Sequence, residues 1–336
     1  MRIGKITNTL VSLYNNEHTR KRAVFLIGAS GIGKSQVVYQ SAETLDIPVV
    51  DLRLAQCDPV DLRGVPSVVD GKTVWHEPVF FPDKATNPAG ILFLDELTSA
   101  PPAVQAVAYQ LILDRKVGDY ELPDGWMVVA AGNRANDRGV TFQMAAPLLN
   151  RMTQLEVETT LDDWRAHAAG AGVRPEILAF LTERADYLHK FDKETYGQQF
   201  PSPRGWFAVS DVLNMDFDDA TRVELIKGAV GHEAAVGLET FLRVWQTMPS
   251  LEAIFTNPDS VEVPDDLNLR YCVVMGLAAR MDRNNFNNAY SFLKRMGREF
   301  QTLAVKLAYS RDQSISRATK FSEFAIDNAD AWKRGN

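Results

Sequence analysis

Cysteine is almost missing from this sequence of 336 residues: Cys57 and Cys272 are the whole supply. Without C-x-x-C spacing they build neither a disulfide framework nor a zinc site, and both read as buried reduced thiols. Five scattered histidines form no H-E-x-x-H. No uninterrupted apolar run approaches the roughly 18 residues a membrane helix needs. The opening M-R-I-G-K-I-T-N-T-L has no apolar signal-peptide core, so a cytoplasmic location is the expectation. There is also no internal repeat and no low-complexity tract. An excess of positive charge is lacking too. The net charge is −7, which speaks against a surface built throughout for nucleic acid. That charge is unevenly spread, however. Residues 270–336 hold twelve Lys/Arg against six Asp/Glu, which reads as a solvated helical face.

What is present is ordinary for a globular protein, 46% hydrophobic and 24% charged, and long enough for a large α/β domain plus a smaller unit. The stretch that organises it is A-V-F-L-I-G-A-S-G-I-G-K-S, from Ala23 to Ser35. Five apolar residues run into Gly28, and Gly28, Gly33, Lys34 and Ser35 fill the phosphate-loop pattern G-x-x-x-x-G-K-[ST]. A short apolar run bounded by glycine reads as a buried strand. The glycines let Gly28, Ala29, Ser30, Gly31, Ile32 and Gly33 turn backbone N–H groups toward one anion. The helix that opens at Lys34 adds its positive N-terminal end. In this pattern Lys34 reaches the terminal phosphates of a nucleotide and the Ser35 hydroxyl binds Mg²⁺.

The remaining chain alternates strand and helix to about residue 158. Ile3, Ile6, Leu10 and Leu13 predict an amphipathic helix, and Ile47–Leu52 a strand. Apolar stretches flank Asp70-Gly71, which predicts an inserted hairpin within 65–81. Gly90–Thr98 repeats the logic of the opening stretch, four apolar residues ending in Asp95 and Glu96. Adjacent acids at the end of a buried strand need an opposing charge, and Mg²⁺ beside the phosphate loop supplies one. A helix after Pro101-Pro102 buries Val104, Val107, Ala108, Leu111 and Ile112. A second short hairpin falls within 116–126, a strand over Met127–Ala131 ends at Asn133, and Thr153–Val157 is a fifth strand. From Thr160 on the pattern is helical, with starts at Thr160, Pro175 and Ser202-Pro203 and with further helices over 218–248, 266–281 and 284–309. The last residues, with Phe321, Phe324 and Trp332, predict one more.

Taken in order, Gly28–Ser35, Asp95-Glu96, Asn133, Arg151 and Ser202-Pro203-Arg204 resemble the motif series of the AAA+ ATPases. The MoxR-like branch is suggested by Asp61-Leu62-Arg63-Gly64, the second hairpin and Pro147-Leu148-Leu149-Asn150-Arg151. The resemblance spans about residues 20–250 and implies a P-loop NTPase fold. That fold is a parallel five-stranded sheet with helices on both faces over 1–158, then an α-helical lid over 159–250; residues 251–336 read as a helical C-terminal extension. It implies ATP and Mg²⁺ as cofactors. Asp95 would sit in the Mg²⁺ shell, Glu96 would polarise the attacking water, and Asn133 would orient that water as sensor 1. Arg151 resembles the arginine finger offered to a neighbouring subunit, and Arg204 the sensor 2 arginine of the lid. Arg134 and Arg138 compete for contact with the nucleotide. Asn150 and Met152 depart from the Asp and Phe that often flank the finger.

The resemblance further implies a hexameric ring that remodels a protein client, and relatives often work with a von Willebrand factor A domain protein. Two other readings stand beside it. An AAA+ motor or loader on DNA predicts salt-sensitive DNA binding, which the net charge disfavours. A monomeric P-loop kinase leaves Arg151 and Arg204 without work. Guanine reading is not indicated, since no N-K-x-D occurs, and neither does L-S-G-G-Q.

Overall fold

The structure is a computed structural model that describes residues 1–134, 142, 144, 146–191 and 199–329. It divides into two compact units, Met1–Thr159 and Thr160–Asn336.

Among the described residues the first unit has nine strands: β1 (Val24–Ile27), β2 (Val49–Arg53), β3 (Val65–Val69), β4 (Lys72–His76), β5 (Ala89–Asp95), β6 (Lys116–Val117), β7 (Tyr120–Glu121), β8 (Gly125–Gly132) and β9 (Thr153–Glu156). Five of them form one parallel sheet in the order β2-β5-β8-β1-β9. The helices are α1 (Ile3–Asn15), α2 (Glu17–Arg20), α3 (Lys34–Leu45), α4 (Pro59–Arg63), α5 (Pro102–Asp114) and α6 (Ala146–Leu149).

The continuous apolar runs of the strands are explained by burial on both faces. Phe25, Leu92, Leu94, Val128 and Ala130 pack on one side with Val104, Val107, Ala108, Leu111 and Ile112 of α5. Val24, Leu26, Ile91, Phe93, Met127 and Val129 alternate to the other side, where α1 and α3 supply Ile6, Leu10, Val37 and Val38. Both predicted hairpins form, β3 with β4 and β6 with β7, each antiparallel. The first is little buried: Val65, Val68, Val69 and Val74 are all exposed.

In the second unit the helices are α7 (Leu161–Gly170), α8 (Pro175–Glu183), α9 (Pro203–Leu213), α10 (Asp219–Val230), α11 (His232–Trp245), α12 (Leu251–Thr256), α13 (Leu267–Arg280), α14 (Phe286–Leu293), α15 (Arg298–Arg311) and α16 (Phe321–Asp327). Their caps follow from local sequence, with Thr160, Ser202, Asp218, Ser250 and Asp266 each accepting a backbone N–H of the first turn. The helix expected over 218–248 is two helices, because Gly231 sits at φ 81° between them. The one expected over 284–309 is likewise divided, between Leu293 and Arg298, and α12 is a short helix with no expectation of its own from the sequence. A single core runs from Trp164 through Trp206, Phe241 and Tyr290 to Phe324, so helices before and after residue 250 bury one another. Trp332 lies outside the described residues. Among the described residues, no helix is long and apolar enough to cross a membrane.

Candidate functional site

Because β5, β8 and β1 are neighbours in the parallel sheet, the three segments leaving their C-terminal ends lie side by side, where ligand crevices form in such sheets. These segments carry Asp95-Glu96, Asn133 and the loop 28–35.

The loop leaves β1 with Gly28 N–H donating to Gly132 O at 3.3 Å. It ends at Gly33, whose φ of +97° is a conformation that L side chains rarely adopt. Thr159 ties it down from beyond β9, donating its hydroxyl to Ile32 O at 3.0 Å. Lys34 opens α3 and turns back over the loop. Its ammonium donates to Gly28 O and Ala29 O at 2.7 Å each and to Asn133 Oδ1 at 2.9 Å. Ser35 Oγ donates to Asp95 Oδ2 at 2.9 Å.

Four of the residues sought in the sequence are thereby joined in two pairs, Lys34 with Asn133 and Ser35 with Asp95, although 99 and 60 residues of chain separate them. The second pair tests the fit of a divalent cation. Among the described residues there is no group of three or more His, Cys, Asp or Glu that could hold a metal. A hydroxyl and one carboxylate are what remain, and Mg²⁺ takes such a sparse protein share, its other positions going to phosphate oxygens and water. The residues fit that ion, and Ser35 and Asp95 are the ones that would hold it.

Asp95 is oriented from both sides, since its Oδ1 also accepts the backbone N–H of Glu96 at 2.8 Å. Glu96 is exposed and left-handed, with φ 58° and ψ 30°. A non-glycine residue in that region costs roughly 1–3 kcal/mol and persists only where its surroundings over-determine it. Here Glu96 O accepts from Ser99 N at 2.9 Å and from Ala100 N at 3.1 Å.

Arg151 is elsewhere on the unit. It precedes β9, where Thr153 N–H donates to Ala23 O, so it stands beside the start of β1, whereas the loop follows the end of that strand. The length of β1, about 10 Å at the usual rise, separates the two, and Arg151 is exposed. Arg134 pairs with Glu156 at 2.6 Å. Arg138 lies outside the described residues. In the second unit Arg204 is exposed in the first turn of α9, after Pro203 and the cap Ser202, whose hydroxyl accepts from Gly205 N at 3.1 Å.

Residues 23–152 match the AAA domain of the dynein-related subfamily. The chain carries an AAA+ ATPase domain. The match covers the loop, the acid pair, Asn133 and Arg151, and nucleotide binding comes with the fold; domains of this class typically assemble into oligomers. No curated protein matches the chain. Among solved structures, RuvB of Thermotoga maritima, a Holliday junction branch migration motor, is 16% identical with a TM-score of 0.39, over 87% of each chain. NtrX of Brucella abortus in complex with ADP is 15% identical with a TM-score of 0.39, over 95% of this chain and 66% of that one. A candidate ATPase of Cytophaga hutchinsonii is 16% identical with a TM-score of 0.36, over 71% and 88%.

Three residues of the site escaped the sequence reading: Thr98, Gln105 and Thr159. Gln105 had a legible signal, a lone amide beside the apolar face of α5, and it is only 3% exposed. Thr98, 6% exposed, offered none beyond its place after the acid pair.

Proposed function

We propose that this protein is a Mg²⁺-dependent ATPase of MoxR-like type that works as a hexameric ring in the cytoplasm and uses hydrolysis to remodel a protein client. The observation that carries the reading is the division of the machinery. Lys34, Ser35, Asp95 and Asn133 converge at one end of the sheet, while Arg151 stands exposed at the other end of β1. An arginine so placed is out of reach of the loop on its own unit and available to an adjoining one.

In this reading the N–H groups of 28–33 and the Lys34 ammonium bind the phosphates. Ser35 and Asp95 hold the cation, which neutralises charge developing on the transferred phosphoryl group. Glu96 polarises the attacking water and Asn133 orients it. Arg151 stabilises the transition-state charge from the neighbouring subunit, and Arg204 couples the helical unit to the γ-phosphate. The exposed valines of the β3–β4 hairpin are contact area for a client, and a von Willebrand factor A domain protein is the class of adaptor to try first.

The test measures mass and ATPase rate together. Glu96→Gln is expected to bind ATP and hold an oligomer without turnover. Arg151→Ala and Lys34→Ala are each inactive, and mixing them restores part of the rate, because each supplies what the other lacks. No rescue in the mixture would remove the shared site. Strong stimulation by DNA, falling with salt, would instead favour the DNA motor.

A further inference from the structure

The turn after β5 is held to the end of β8 by one buried hydroxyl. Thr98 Oγ1 accepts the backbone N–H of Asn133 at 2.9 Å, and Thr98 O accepts from Phe142 N at 2.7 Å. The approach is close enough that Gly132 has no room for a side chain, since a Cβ there would lie 2.7 Å from Thr98 Cγ2 and 2.8 Å from its Oγ1. The other side of the turn is clamped by Gln105. Its Nε2 donates to Leu97 O and Ala100 O at 3.1 Å each, while its Oε1 accepts from Tyr109 Oη at 2.6 Å. Between these two clamps sits Glu96 in its left-handed conformation.

We propose that the Thr98 hydroxyl is a positioning group for hydrolysis: it fixes the backbone of Asn133 to the turn that carries Glu96, so that the two side chains acting on the attacking water are held in one frame. This rests on the roles given to Glu96 and Asn133 above. The two residues leave neighbouring strands whose register runs to Leu94 and Ala130, and beyond that ladder the Thr98 hydroxyl ties Asn133 to the turn across 35 residues of chain. Thr98 touches neither nucleotide nor water in this scheme. Its effect passes through Asn133, and Gln105 supports the same turn from behind.

The experiment compares Thr98→Val, which keeps the volume and loses the acceptor, with Thr98→Ser, which keeps the acceptor. For Thr98→Val, kcat falls at least about tenfold, in line with the cost of misplacing a reacting group. Its Kd for a fluorescent ATP analogue stays within about twofold, because phosphate binding is left to the loop and Lys34. Thr98→Ser recovers most of the rate. In an Asn133→Ala background Thr98→Val costs less than a further twofold or so, since it acts through the residue already removed. Thr98→Ala carries the same kcat expectation and serves if Thr98→Val does not fold.

Native kcat in Thr98→Val, a full multiplicative loss on top of Asn133→Ala, or a Thr98→Ser as slow as Thr98→Val would each overturn the proposal. Failure of the underlying reading looks different. There, Glu96→Gln and Asn133→Ala themselves turn over ATP at the native rate.

Discussion

Lys34→Met isolates the ammonium, because methionine keeps most of the side-chain length and removes only the charge and its donors. In the structure that ammonium sits 2.7 Å from two loop carbonyls and 2.9 Å from Asn133 Oδ1, so its donors are aimed around the mouth of the loop. A bound triphosphate can take one or two of them. Hydrogen bonds to charged groups are worth about 1.5–3 kcal/mol each. The loss on substitution is therefore about 1.5–6 kcal/mol, or roughly tenfold to 10⁴-fold in Kd. The assay is a titration with a fluorescent ATP analogue on protein whose denaturant midpoint is measured in parallel. Lys34 is only partly buried, so the fold survives and the carbonyls it leaves turn to water. Asn133→Ala is the companion, since it removes only the acceptor of that network. It should change Kd by no more than a few-fold while kcat falls. A folded Lys34→Met protein that binds the analogue within about threefold of the native Kd would refute the placement of the phosphates over Lys34.

Ser35→Ala removes the hydroxyl that joins Asp95 and is expected to raise the Mg²⁺ concentration needed for half-maximal ATPase activity, read by titrating Mg²⁺ at fixed ATP; an unchanged midpoint would take Ser35 out of the cation site. Burial, followed by the carboxylates of Glu183 and Asp266, pushes the Cys272 thiol up to about 12, so almost no thiolate exists near neutral pH in the folded protein. At pH 8, iodoacetamide should leave Cys272 unlabelled until denaturant returns the thiol to its ordinary value near 8.5, a difference peptide mass mapping resolves. Trp206 is fully buried and donates its indole N–H to Tyr187 O at 2.8 Å. Trp206→Ala should destabilise the helical unit by about 3–5 kcal/mol, with the denaturant midpoint falling accordingly; a shift worth under about 1 kcal/mol would mean the core there had collapsed around the gap.

The sequence by itself determined the candidate site positions and the local elements next to them. Phosphate-loop spacing is a property of consecutive residues, and so are the apolar run before it, the acids ending the next such run, and the Asp70-Gly71 and Pro101-Pro102 signals. Gly231 shows the limit of such reading. A glycine inside a helical pattern is tolerable by propensity, and only the backbone reveals that this one turns to positive φ and ends a helix.

Tertiary structure alone decided which strands are neighbours, and with that everything that depends on adjacency. The order β2-β5-β8-β1-β9 brings Lys34 to Asn133 and Ser35 to Asp95, stands Arg151 beside the opposite end of β1, and sets Thr98 against Gly132. It also decided that the helices on either side of residue 250 share one core. The physical reason is the range of the interactions. Turns, caps and periodicity act over a few residues and leave their mark in composition, whereas the bonds that build this site close loops of 35 to 127 residues and depend on how the buried faces pack.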